Sequence, residues 1–162
     1  MIDKVLGFIV ERLNTALLEQ DPRGERPAIM GPLGGAESAM FENKIIVSLA
    51  NIERETGTQR ANNLQSGKPP PLDVNLFILV AANFSDSDYA EALKSLSAAL
   101  AFFQSSPVMT PATSPGLPAG IERLTIEVEN MSFQEVNNLW TVRGSLYLPS
   151  FLLKLRTIAG SP

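Results

Sequence analysis

Glu127 and Glu129 are the side chains in this sequence best spaced for acid–base or cation-binding work. Two residues apart on a strand they share a face, so their carboxylates can hold a hard cation or divide the roles of proton donor and acceptor. Their surroundings favour a plainer reading. Leu124, Ile126 and Val128 alternate with Thr125, Glu127 and Glu129, which is the pattern of a strand with one face in water. No stronger chemistry is available, because the 162 residues include no His and no Cys. The chain thus lacks the usual general base near neutral pH and the two best transition-metal ligands. A Ser-His-Asp or Cys-His arrangement, a Cys/His zinc site and a disulfide are all excluded. Gly31-Pro32-Leu33-Gly34-Gly35 is glycine-rich but matches neither phosphate-binding pattern, G-x-x-x-x-G-K-[ST] or G-x-G-x-x-G. We expect no catalytic residue, no cofactor and no metal site, and hence no enzyme.

Charged residues suggest contacts instead. Arg54, Arg60 and Lys68 flank or lie in a polar stretch, Thr56 to Pro71, where they can present a positive patch to an acidic partner. The prolines at its end, Pro70 among them, stiffen an extended lead-in to the next element. Overall, 13 Lys+Arg against 17 Asp+Glu give a net charge of −4, which argues against nucleic acid as a partner. No window approaches the roughly 18 uninterrupted apolar residues of a membrane span. No signal-peptide pattern is read at the start. With 44% apolar and 19% charged residues, the chain fits one soluble domain, 1–162, large enough for its own core.

The elements follow from periodicity. Ile2, Val5, Leu6, Ile9, Leu13, Ala16 and Leu17 recur at helical spacing up to Asp21-Pro22. Breakers then deny regular structure as far as Phe41. Lys44 to Arg54 reads as a central strand, with Ile45, Val47 and Leu49 on one side and Ile46, Ala50 and Ile52 on the other. Leu72 to Ala82 reads as a second. Ser85 and Asp88 have capping-box spacing before a helix whose apolar stripe runs from Tyr89 through Leu93 and Leu96 to Phe103. Pro107 to Gly120 again looks irregular. After the half-solvated strand, Ser132-x-x-Glu135 caps a helix of about two turns in which Phe133, Val136, Leu139 and Trp140 fall at helical spacing, with Trp140 packing on the sheet and its indole N–H reaching a polar partner. Leu146 to Ile158 reads as a last strand, with Tyr147, Phe151, Leu153 and Leu155 on one side and Leu152, Lys154, Arg156 and Ile158 on the other. Pro149 assigns it to a sheet edge or a bulge. The expected fold is α/β of the α+β kind: a mixed four-stranded sheet under about three helices, in the order α-β-β-α-β-α-β, with long Pro/Gly loops. Three such loops exceed what closing a domain requires, which suits either an interaction role or disorder.

Several runs carry a resemblance that spans nearly the whole chain. They are Leu13-Asn14-Thr15-Ala16-Leu17; Asn43-Lys44-Ile45-Ile46-Val47-Ser48-Leu49 with Asn51-Ile52-Glu53-Arg54-Glu55; and Pro69-Pro70-Pro71-Leu72-Asp73-Val74-Asn75-Leu76 leading into Leu79-Val80-Ala81-Ala82. Tyr89-Ala90-Glu91-Ala92-Leu93, Phe102-Phe103-Gln104, Leu124-Thr125-Ile126-Glu127 and Leu139-Trp140 before Leu146-Tyr147-Leu148-Pro149-Ser150 complete it. Together they resemble the tail-terminator or cap proteins of extracellular contractile injection systems, of the antifeeding-prophage and virulence-cassette type, relatives of phage tail terminators.

That resemblance implies a structural protein: a homo-hexameric ring that stops growth of sheath and inner tube and couples the two layers. Its partners would be the sheath protein and the inner tube protein. The chain would be cytoplasmic during assembly and afterwards part of a released, extracellular phage-tail-like particle. Some members of the family continue beyond the position of Pro162. No residue-level interface carries over, so the candidate assembly residues are chosen by position in loop or edge: Arg54, Arg60, Lys68, Pro70, Tyr147, Leu152 and Lys154. Sheath capture by strand addition at Leu146 to Ile158 is one expected mode. The alternatives are an adaptor or chaperone for particle cargo and a carboxylate-dependent enzyme.

Overall fold

A computed structural model describes residues 1–22, 25–33, 41–57, 73–144 and 146–160. The first helix, α1 (Ile2–Gln20), buries Val5, Leu6, Ile9, Val10, Leu13 and Leu17 along one stripe. It stops at Asp21, whose φ of −145° and ψ of 87° leave the helical region. Pro22 is the cause, since its ring disfavours helical backbone at the residue before it.

The strands are β1 (Ala28–Met30), β2 (Lys44–Arg54), β3 (Val74–Asn83), β4 (Val108–Met109), β5 (Ile121–Glu129) and β6 (Ser150–Ala159). They form one six-stranded sheet in the order β1-β2-β3-β6-β5-β4. β1 runs parallel to β2 and every other pairing is antiparallel. The sheet is mixed, as expected, but has six strands and not four. The two additions are short edge strands set among prolines, in stretches where breakers suggested none.

The final strand corrects the sequence reading most. β6 pairs with β3 on one side and β5 on the other, so it lies inside the sheet and offers no free edge. Pro149 is compatible with this because it precedes the strand and contributes its carbonyl, which accepts the N–H of Ala82 at 2.9 Å. Strand addition at Leu146 to Ile158 is therefore ruled out. A second correction concerns β2. A bulge between Leu49 and Asn51 shifts the register, so Ile52 lies opposite Leu76 and on the side of Leu49, not of Ile46.

Helices α1 and α2 (Tyr89–Ser105) cover one sheet face, where Ile45, Val47, Leu76, Ile78, Val80, Leu124, Leu153 and Leu155 make the main core with Phe103 of α2. The start of α2 differs from expectation. Ser85 caps a 3₁₀ turn (Asp86–Asp88) without a side-chain cap bond, and its Oγ donates to Asp88 Oδ2 at 3.1 Å. Tyr89 and Leu93, expected in the buried stripe, are 57% and 40% exposed, whereas Ala92, Ala99 and Phe103 are buried.

Both outer edges of the sheet are small. On β1, Asn14 of α1 is buried and its amide engages Ala28 twice: Nδ2 donates to the Ala28 carbonyl at 2.9 Å and Oδ1 accepts the Ala28 N–H at 2.8 Å. Such blunting protects an edge from adding further strands. On β4, Pro107 accepts from Ile126 N–H at 2.8 Å, so ladder alternation turns the backbone groups of Val108 outward.

Candidate functional site

The opposite sheet face is covered by the third helix, α3 (Phe133–Arg143), over a second apolar cluster. Two local signals fix this helix. Ser132 and Glu135 form a capping box, with Ser132 Oγ accepting the Glu135 N–H at 3.2 Å and the Ser132 N–H donating to Glu135 Oε2 at 2.7 Å. Gly144 ends it at φ 65°, a left-handed cap that glycine adopts without strain. The eleven residues make three turns rather than two. Only one side packs: Trp140 is buried with Ile46, Leu79 and Ala81, and Val136, Leu139 and Leu152 lie half-buried around them.

The outer side of this region is unusually apolar. Phe133 is 98% exposed although it shares the helical spacing of Val136, Leu139 and Trp140; Val142 is 88% exposed, Leu146 90% and Tyr147 61%. Single exposed apolar residues are ordinary, but Val142, Leu146 and Tyr147, three within six positions at the C-terminal end of the helix, are the kind of grouping that marks an interaction surface, whereas Phe133 stands alone at the other end. The Tyr147 ring stands edge-on to Trp140 at a centroid distance of 5.7 Å and an angle of 69°. Tyr147 therefore joins the α3 side, not the face of Phe151 and Leu153 that alternation assigned to it. The buried Nε1 of Trp140 finds no hydrogen-bond partner among the described residues, against the expectation of one.

Of the residues chosen for assembly, Tyr147, Leu152 and Lys154 come together on this face. Leu152 faces Leu79 and Glu129 across the ladders, and Lys154 faces Phe77 and Glu127. Glu127 thus sits opposite a lysine, the disposition of a solvated strand face. Arg54 is not brought to them: it ends β2 opposite Val74, whose side chain belongs to the other face. Arg60, Lys68 and Pro70 lie outside the described residues.

A polar lock below this face was not foreseen. Glu55 is buried; its Oε1 accepts the Gly57 N–H at 2.6 Å and its Oε2 lies 2.7 Å from Arg156 Nε. The Gly57 N–H holds the Glu55 carboxyl below its usual range, and the Asn75 side chain and the charges of Arg156 and Lys154 act in the same direction, while burial opposes them. Next to it, Asp73 Oδ1 accepts the N–H of Ala159 at 2.9 Å, and the Asp73 carbonyl accepts the N–H of Glu55. The ends of β2, β3 and β6 are thereby tied by charged and polar contacts. An acidic residue at the end of each run, Glu55 after β2 and Asp73 before β3, was the available signal.

Among the described residues no group of three or more Asp or Glu side chains gathers where a metal ion could sit, and no helix is long and apolar enough to cross a membrane. What the surface offers is an apolar helix flank on a sheet face bearing alternating charges.

The sequence profile of the Pvc16 N-terminal domain matches residues 4–161. The chain belongs to the Pvc16 N-terminal domain family. The resemblance read from its residues is thus borne out. This Pvc16 N-terminal domain also shares its fold with two solved structures. The cap of the anti-feeding prophage, a tube terminating cap, matches with a TM-score of 0.51 and 14% identity over 93% of this chain and 55% of that one. The PVC sheath/tube terminator of an extracellular contractile injection system, in its extended state, matches with a TM-score of 0.51 and 14% identity over 94% and 57%. The domain accordingly spans a little over half the length of these relatives. No curated protein matches it in sequence.

Proposed function

We propose that this Pvc16 N-terminal domain is the ring-forming part of a structural cap that terminates tube and sheath growth in a phage-tail-like contractile injection particle. The observation that carries this reading is the family match across residues 4–161. The fold shared with a tube terminating cap and a sheath/tube terminator supports it. So do the large apolar side chains exposed at and after the end of α3.

Identical subunits closing into a ring at the tube end meet head to tail, each using two different patches, and six-fold closure would match a six-fold tube. The many weak contacts of such a ring add by multivalency once one subunit has bound. Assembly would take place in the cytoplasm, and the cap would leave with the released particle. Arg54, Arg60, Lys68, Pro70, Tyr147, Leu152 and Lys154 remain proposed assembly residues, with Tyr147 best placed among those described because it crowns the α3 patch.

The test is to add the purified protein to polymerising inner tube and sheath and measure tube lengths by electron microscopy. Short tubes of fixed length with density at one end are expected. Unaltered length distributions with the protein in excess would overturn the proposal. Binding to particle cargo in their place would support an adaptor.

A further inference from the structure

The outer side of α1 carries two hollows that meet at Gly7. One, about 500 Å³, lies between Lys4, Phe8, Arg12 and the turn at Pro115 and Gly116. The other, about 330 Å³, runs past Val10 toward Met30 and Lys44. Gly7 lines both. A glycine in mid-helix weakens the helix relative to alanine. The fold supplies no reason for it, since a Cβ at Gly7 would meet nothing within 4 Å. What bare backbone permits there is close approach by another chain.

The free charges of this groove are positive. Lys4 is exposed, and the buried Nε of Arg12 has no hydrogen-bond partner. Glu11, which borders both hollows, is already paired with Arg26. On a protein of net charge −4, unpaired cations above the apolar floor of Phe8 and Val10 select an acidic occupant with apolar side chains. The start of α2 has that composition. Tyr89 and Leu93 stand in water on what should be a buried stripe, and Asp86 and Asp88 are exposed just before them.

We propose that the Asp86–Leu93 segment of one copy docks into the α1 groove of the next, with Tyr89 and Leu93 against Phe8 and Gly7, and Asp86 and Asp88 facing Lys4 and Arg12. The occupant is a second copy of this chain, and the inference rests on the ring reading given above. Two unlike patches on separate elements of one protomer are what a head-to-tail contact requires.

Native mass measurement of wild type and two double variants, Lys4→Glu with Arg12→Glu and Asp86→Lys with Asp88→Lys, tests it. Each double variant alone faces like charge with like, so its ring should be lost or at least tenfold weaker. An equimolar mixture restores opposite charge at every contact and should regain the wild-type ring, which also shows that both variants fold. Gly7→Leu fills the groove without altering charge and should lower ring yield while the monomer melts at or above the wild-type temperature. Wild-type ring formation by either double variant or by Gly7→Leu, or a mixture that fails to recover, overturns the docking alone. Absence of a ring from wild type, both in solution and on tube ends, overturns the ring reading and the docking with it.

Discussion

Asn14 closes the β1 edge of the sheet by treating Ala28 as a neighbouring strand would, giving one hydrogen bond to its carbonyl and taking one from its N–H, at 2.9 and 2.8 Å. A side chain from the helix layer thus completes a ladder in the sheet layer. Both bonds are buried, which raises the cost of losing them.

Asn14→Leu keeps similar bulk but strands both Ala28 groups, each at about 1–3 kcal/mol. A stability loss of roughly 2–6 kcal/mol in urea unfolding is expected on that arithmetic. A loss under about 1 kcal/mol would mean that water replaces the amide, as it does at exposed polar sites.

Glu55 makes stability depend on acidity. Its native pKa lies below its unfolded one, chiefly through the Gly57 N–H. The stabilisation is therefore complete above the ordinary glutamate range and is lost as pH falls toward the depressed native value. Denaturation midpoints measured between pH 7 and pH 3 should fall, and Glu55→Gln should flatten that slope while costing about 1.5–3 kcal/mol at pH 7, the scale of charge-assisted hydrogen bonds.

Leu152 and Val108 separate an interior strand from an edge. Proline at Leu152 breaks a strand paired on both sides, and no soluble folded protein is expected. Proline at Val108 removes only an outward N–H, and the circular dichroism melt should stay within a few degrees of wild type. Equal effects at the two positions would contradict the strand order.

Trp140 is the sole tryptophan, so its emission reports on the α3 patch directly. Tyr147→Ala removes the edge-on ring, which is worth about 0.5–1.5 kcal/mol beyond its area. A red-shifted emission maximum and a stability loss of that order are expected; unchanged emission would show that Tyr147 does not shield the indole.

The long elements were legible because they repeat a period many times: α1, β2, β3, α2, β5 and β6 all coincide with runs of alternating or helical spacing. The short ones were not. β1 and β4 have three and two residues, too few for any period, and exist because β2 and β5 offer them a ladder. Pro149 misled by one position, since a proline just outside a strand costs no ladder donor. The bulge before Asn51 is a property of the pairing and not of either strand's own sequence. For the interaction surface, spacing placed Phe133, Tyr89 and Leu93 on apolar stripes but could not say where the core stops covering a stripe. The three residues from the Thr56 to Pro71 stretch were chosen for charge and stiffness, and no contact among the described residues bears on them.

The interior position of β6 also sets a clock on synthesis. While the chain emerges, β2 and β3 can pair with each other and β4 with β5, but the two halves share no ladder until Ser150 to Ala159 inserts between them. The sheet is completed by joining strands more than 65 residues apart in the chain, such as Ala81 and Ser150, and non-local closures of this kind slow folding. A nascent chain paused between Glu129 and Ser150 therefore exposes the unsatisfied edges of β3 and β5 together, the state in which aggregation and chaperone capture compete with folding.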